Sequence, residues 1–328
     1  MKSKIRSVFT NLGISILSLV IFILIAETLT RIFWNVETKK HYAGIILKGN
    51  NRIFEKDGVV YKTNSFGIRN KEISEIKSSN EMRILALGDS YIWGEGLSEN
   101  EIITKKLENG LDSNYNQKIE VINAGIGGYN TKDEYEQLIR LYPIYKPDLV
   151  ILFFFTNDLL LKDSSGEYLS WKIKTNMFLR KHSKFYAFLY YLIKSSINSI
   201  ISTPEFILPQ EYYDFSDSNI GWVRFKKYFL EMKKYCHRKD AGLIFVLIPT
   251  LTNLDSNYPY MELKDNVLKF VKDNSVLYLS FFDLFAPYRP IDLWVSEENT
   301  HWNDRATTLA SKELSNYIIK NQLLVESK

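Results

Sequence analysis

Five short apolar runs, each followed by turn residues, constrain this chain more than any other feature. They read RILALG (83–88), IEVINAG (119–125), DLVILFFF (148–155), GLIFVLIP (242–249) and VLYLSFFDLF (276–285). Short, nearly continuous apolar segments of this kind suit strands buried on both faces. Polar stretches of helical period separate them, around 100–112, at TKDEYEQLIRLY (131–142) and at RFKKYFLEMKKYCHRKD (224–240). A further helix is expected at the end, over DRATTLASKELSNYIIKNQLL (304–324). Strands alternating with helices predict a parallel sheet covered on both faces, joined by right-handed crossovers.

One segment breaks this rhythm. The stretch between the third and fourth runs is far longer than a single crossover helix needs. Within it, WKIKTNMFLRKHSKFYAFLYYLIKSSINSIIS (171–202) is basic, aromatic and helical in period. Two readings stand: an amphipathic helix packed on the core, or a lid or membrane-surface helix beside the active site.

The N-terminus carries Lys2, Lys4 and Arg6, and residues 7–26 then hold no charge. At about 1.5 Å per residue such a stretch reaches roughly 30 Å, the thickness of a bilayer's hydrocarbon core. A cleaved signal peptide would have a shorter apolar region and a small-residue cleavage site, which Leu24 and Ala26 do not provide. An uncleaved single-pass anchor is therefore expected, with Trp34 in the interfacial belt. The denser basic residues before the span put the N-terminus inside and the body outside the cytoplasm. The expected organisation is a short tail (1–6), an anchor (7–34) and a tether (35–80) containing the glycine-centred turn TNSFGIRN (63–70). A globular domain (81–328) follows, with an inserted helical segment at about 160–225.

Composition narrows the function. With 42 basic and 38 acidic residues the net charge is only +4, too balanced for a nucleic-acid partner. The single cysteine, Cys236, excludes an internal disulfide and a cysteine-rich metal site. No metal-ligand cluster and no nucleotide-binding loop is legible, so no cofactor is expected.

Open parallel sheets bind ligands beyond the carboxyl ends of their strands. After the first run stands GDS (88–90), after the second NAGIGGYNT (123–131), and after the third FTND (155–158). ENTHWND (298–304) precedes the last helix. Each alone is an ordinary turn sequence. Together they supply what a serine nucleophile needs: a base, a group to orient that base, and donors for an oxyanion. Ser90 is the candidate nucleophile. Of the four histidines, His41 lies in the tether and His182 and His237 in basic helical surroundings, which leaves His301 as the base. The donors would be the Ser90 N–H, an N–H from 125–128, and the Asn157 side-chain amide.

The order GDS…GG…ND…H resembles the SGNH (GDSL-type) hydrolase superfamily over roughly residues 82–320. The resemblance implies a flavodoxin-like three-layer α/β/α sandwich, Ser90 as nucleophile, Gly128 and Asn157 in the oxyanion hole, and His301 as base. The anchor and TNSFGIRN resemble membrane-anchored bacterial members. Some relatives are esterases; others are acetyltransferases of cell-surface polysaccharide. The implied substrate is an O-acylated envelope glycan or lipid, and a transferase would call for a membrane partner that delivers the acyl group. Two departures stand out. Phe155 replaces the usual glycine of the third block. The acid normally found two or three residues before the histidine is Glu298 or is replaced by Asn299. A Ser–His dyad oriented by a backbone carbonyl is a third arrangement. A catalytically weak relative that binds glycan or supports an assembly is the reading that the missing aspartate favours.

Overall fold

The computed structural model describes residues 2–33, 51–159, 179, 182–200 and 214–324. Trp34, His41, the first part of the expected tether and much of the expected insert lie outside them.

The five apolar runs form one five-stranded parallel sheet: β3 (Glu81–Leu87), β4 (Lys118–Asn123), β5 (Leu149–Phe154), β6 (Gly242–Leu247) and β7 (Leu277–Ser280). Their spatial order is β4-β3-β5-β6-β7. All of β5 is buried, as is all of β3, which is why neither alternates. The run at 276–285 splits: β7 ends at Ser280, whose Oγ accepts the Phe282 N–H, and a short helix covers Phe282–Phe285.

The order of strands dictates the layers. From β3 to β4 the chain steps one way; from β4 to β5, β6 and β7 it steps the other. Right-handed crossovers therefore put α3 (Ile103–Asp112) on one face and α4 (Thr131–Tyr145), α6 (Ile220–Arg238) and α7 (Met261–Asp273) on the other. The closing helix α9 (Asp304–Lys320) packs beside α3 and completes the thinner layer. The result is the expected three-layer sandwich. Its point of reversal lies between the carboxyl ends of β3 and β5, where such sheets bind ligands.

Residues 51–80 do more than tether. β1 (Ile53–Lys56) and β2 (Val59–Lys62) form a hairpin whose turn residues Asp57 and Gly58 both have positive φ, 51° and 77°, as a type I′ turn requires. Tyr61, Ile68 and Arg69 are buried. The glycine-centred turn holds, with the Gly67 N–H donating to Asn64 O and φ 75° at Gly67. Its purpose is to send Arg69 inward.

The described residues divide into two compact units, 1–42 with 168–206, and 43–167 with 207–328. The second holds the sheet. The first holds α1 (Lys2–Phe33) and α5 (Lys184–Ile200). Within α1, Gly13–Phe33 is long and apolar enough to cross a membrane. α5 packs on α1. The Glu27 carboxylate accepts the N–H groups of Lys184 and Phe185 at 2.9 Å each and the Ser183 hydroxyl at 2.8 Å. It thus caps from another helix the donors that the first turn of α5 leaves unpaired.

Candidate active site

The strand β3 stops at Gly88 for a steric reason. A Cβ there would lie 2.4 Å from Ile92 Cγ1 and 3.3 Å from Phe153 Cβ. Asp89 then caps a single helical turn, α2 (Ser90–Trp93), its Oδ1 accepting the Tyr91 N–H at 2.9 Å. Ser90 is thereby lifted to the sheet's carboxyl edge. Gly125 lets the second loop close on this turn, since a Cβ would meet Trp93 N at 2.5 Å and the Ile92 carbonyl carbon at 2.7 Å. Gly127 follows, its Cβ position 3.8 Å from Ser90 Cβ, and Gly128 has φ 80°. The Gly127–Gly128 turn therefore runs beside the serine.

His301 comes from a small hairpin, β8 (Trp294–Ser296) and β9 (Asn299–Trp302). Its Nε2 lies 2.7 Å from Ser90 Oγ, and its Nδ1 lies 2.7 Å from Asn299 Oδ1. The His301 backbone N–H donates to the same Asn299 oxygen at 3.2 Å. That oxygen is an acceptor, so Nδ1 carries the ring proton and Nε2 presents its lone pair to the serine hydroxyl. This is the tautomer a general base needs. Of the two residues weighed for the acid's place, Asn299 makes the contact. Glu298 is exposed in the turn between β8 and β9. Gly96, with φ 82°, leaves room for the Asn299 amide, since a Cβ would lie 3.0 Å from Nδ2.

Burial pushes His301 down to about 4; Glu95 acts to raise it and Lys56 to lower it. Those two residues are ion-paired with each other, which mutes both effects. The ring packs 4.9 Å from Tyr91, which also touches Phe155 at 4.5 Å and Trp302 at 5.5 Å. Phe155, in place of the family's glycine, is thus part of the aromatic wall behind His301. His182 and His237 are exposed on their helices, as their basic surroundings suggested.

Asn157 sits in the turn Thr156–Leu159 after β5. Its Nδ2 donates to Asp89 Oδ2 at 2.7 Å, tying the third loop to the residue before Ser90. Burial raises Asp89 to about 6, while the bonds from Tyr91 and Asn157 act to lower it.

Four participants had no distinguishing mark in the sequence. Arg69 donates to Trp93 O at 3.0 Å, Gly94 O at 2.7 Å and Leu97 O at 2.7 Å, clamping the loop that follows Ser90. Glu134 and Asp158 are buried beneath the site with Asp89. Tyr91 backs the histidine. Asp89 and Asp158 belonged to quoted blocks, but nothing marked them as buried. Among the described residues no group of three or more His, Cys, Asp and Glu side chains is placed to hold a metal ion.

Residues 86–307 match the GDSL-like Lipase/Acylhydrolase family. The chain belongs to this family of ester hydrolases, the SGNH class of α/β enzymes. Similar solved structures include the psychrotrophic esterase EstA from Pseudoalteromonas sp., at 18% identity over 74% of this chain and 98% of that one, TM-score 0.44. Another is the lipase/acylhydrolase from Enterococcus faecalis, at 14% identity over 73% of this chain and 96% of that one, TM-score 0.45. A third is the acetyl xylan esterase AlAXEase, at 16% identity over 72% of this chain and all of that one, TM-score 0.46. No curated protein matches the chain.

Proposed function

We propose that this ester hydrolase works through Ser90 and His301 and is held at a membrane by α1. The observation that carries the reading is the line Ser90 Oγ–His301 Nε2, His301 Nδ1–Asn299 Oδ1, both 2.7 Å. Ser90 Oγ attacks the ester carbonyl carbon while His301 Nε2 takes the hydroxyl proton. The oxyanion is met by the N–H groups of Ser90 and Gly128 and by the second N–H of Asn157, whose first is held by Asp89. Collapse returns the proton to the departing alcohol and leaves an acyl-enzyme, which water then hydrolyses. Asn299 fixes the tautomer as a triad acid would, but it brings no charge to the imidazolium that forms.

The substrate we infer is an O-acyl group on an envelope glycan or lipid, reached from the anchor with the body outside the cytoplasm. Another acceptor in place of water would make the same acyl-enzyme a transferase, which would need an acyl donor from a membrane partner. Asn299 favours one rival, a catalytically weak relative that binds glycan or serves an assembly. Labelling with a fluorophosphonate separates the two. Ser90 should label in the native protein. Ser90→Ala should neither label nor hydrolyse a chromogenic short-chain ester, with its melting temperature unchanged. A folded native protein that fails to label would support the rival.

A further inference from the structure

We propose that Glu134 is a positioning residue for this reaction: as a neutral acid it donates to Asp158 and so fixes the turn that carries Asn157. The proposal rests on the reading of Asn157 as an oxyanion donor. Glu134 lies in the first turn of α4 and is 1% exposed; Asp158 is also 1% exposed. Both Glu134 carboxyl oxygens are buried, and neither receives a donor. The Asp158 carboxyl is supplied differently. Its Oδ2 accepts the Phe155 N–H at 2.8 Å and its Oδ1 accepts the Thr131 hydroxyl at 2.9 Å. The Thr131 bond sets the Asp158 carboxyl against the same turn of α4 that carries Glu134, and Asp158 is the charge that acts most strongly on Glu134.

These facts assign the proton. Two ionised carboxyl groups in contact, away from water, would combine desolvation with mutual repulsion. One must be neutral. Asp158 has two donors to stabilise an anion and Glu134 has none, so Glu134 is the acid and Asp158 the acceptor. The titratable groups acting on Glu134 agree. Burial is the largest cause of its rise, followed by Asp158 from the turn after β5, Asp89 from the turn after β3, and Asp133 from its own helix. All are acidic.

Asp158 is then gripped by two groups of α4, Thr131 and Glu134, and by the backbone of its own turn. Asn157, one residue before it, reaches across to Asp89. Deprotonating or removing Glu134 would loosen the turn from α4 and let the Asn157 amide drift from the oxyanion.

Glu134→Gln keeps the shape and an N–H donor but cannot ionise. Glu134→Leu keeps bulk and loses the donor. On a chromogenic ester at pH 7, we expect kcat of Glu134→Gln within about threefold of native. For Glu134→Leu we expect a fall of about tenfold or more with KM little changed, since a misplaced oxyanion donor acts on the transition state. The alkaline limb of the native kcat profile, where Glu134 would ionise, should move upward or vanish in Glu134→Gln. Melting temperature supplies a readout besides activity: Glu134→Gln should gain on native as pH rises from 5 to 8, because native alone must keep a proton that its unfolded chain releases. Glu134→Gln as impaired as Glu134→Leu, an unmoved alkaline limb, or unchanged kcat in a folded Glu134→Leu would overturn the proposal. In those three cases Ser90 still labels with fluorophosphonate. Loss of labelling in the native protein overturns the site reading and this proposal with it.

Discussion

At the scale of single residues, the amide at position 299 sets this site apart. In a serine protease, the change from carboxylate to amide in the equivalent role costs about 10⁴ in turnover, chiefly through the wrong histidine tautomer. Here the backbone N–H of His301 holds the Asn299 oxygen toward Nδ1, so the tautomer is right and only the charge is missing. Two consequences follow with a definite sign. Burial holds His301 near 4, so its imidazole stays neutral, and with His301 as the proposed base kcat/KM should keep its plateau down to about pH 4–5. Asn299→Asp would put an anion against Nδ1 and raise the histidine's pKa. The acidic limb should then move toward pH 6–7, and the plateau rate should rise by about tenfold or more as the imidazolium gains a partner. Asn299→Ala should lose activity steeply, and Glu298→Gln should change it little, because Asn299 bonds Nδ1 and Glu298 is exposed. Steady-state kinetics from pH 4 to 9 on the three variants checks this. An acidic limb that stays in place in Asn299→Asp would mean that His301 is not the titrating base.

At the scale of elements, the candidate site is three strand ends and a hairpin held in register by residues outside the Ser90–His301–Asn299 line. Arg69 is the clearest case. Its fork donates to three carbonyls of the loop after Ser90 and its guanidinium carbon lies 4.5 Å over the Tyr61 ring. Removing it strands three carbonyl acceptors, at about 1–3 kcal/mol for each that water cannot reach. Arg69→Met should therefore lower unfolding free energy by about 3 kcal/mol or more in a urea titration. In the protein that remains folded, kcat should fall about tenfold. Arg69→Lys should recover only part, having a point charge and no fork. Equal stability of Arg69→Met and native would refute the clamp. The sheet was legible because buried parallel strands leave continuous apolar runs; the candidates Ser90 and Asn157 were legible because each follows such a run, and His301 by elimination among four histidines. Arg69 was not, because TNSFGIRN has the look of a surface loop, and no local pattern records that a charged side chain will find its acceptors some twenty-five residues away. Glu134 was hidden for a related reason: an acid in the first turn of a helix is ordinary at the surface, and its burial is a property of the assembled layers alone.

At the scale of the whole molecule, the proposed anchoring by α1 can be weighed against the contribution of α5. Gly13–Phe33 supplies 21 residues of apolar helix, about 31 Å at 1.5 Å each, enough for one crossing. The packing of α5 on α1 adds a second apolar element. Leu189, Leu192 and Ile193 of α5 are 36%, 52% and 55% exposed, and the Glu27 cap and the edge-to-face pair Phe22–Phe185 hold the helix to α1. The magnitudes separate the two contributions. Three partly exposed aliphatic side chains yield at most about 1.5–3 kcal/mol each on full burial, a reversible attachment. A spanning helix is effectively irreversible. The full chain should therefore stay in the membrane pellet through an alkaline carbonate wash. A chain lacking residues 1–33 should leave that pellet, yet still bind lipid vesicles weakly or self-associate, because α5 has lost both its cap and its partner. Adding Leu189→Ser, Leu192→Ser and Ile193→Ser to the truncation should abolish that residual binding and leave ester hydrolysis intact. A truncated chain that resists carbonate would show that α1 is not the anchor. One that is released and ignores vesicles without the three substitutions would show that α5 contributes no membrane contact.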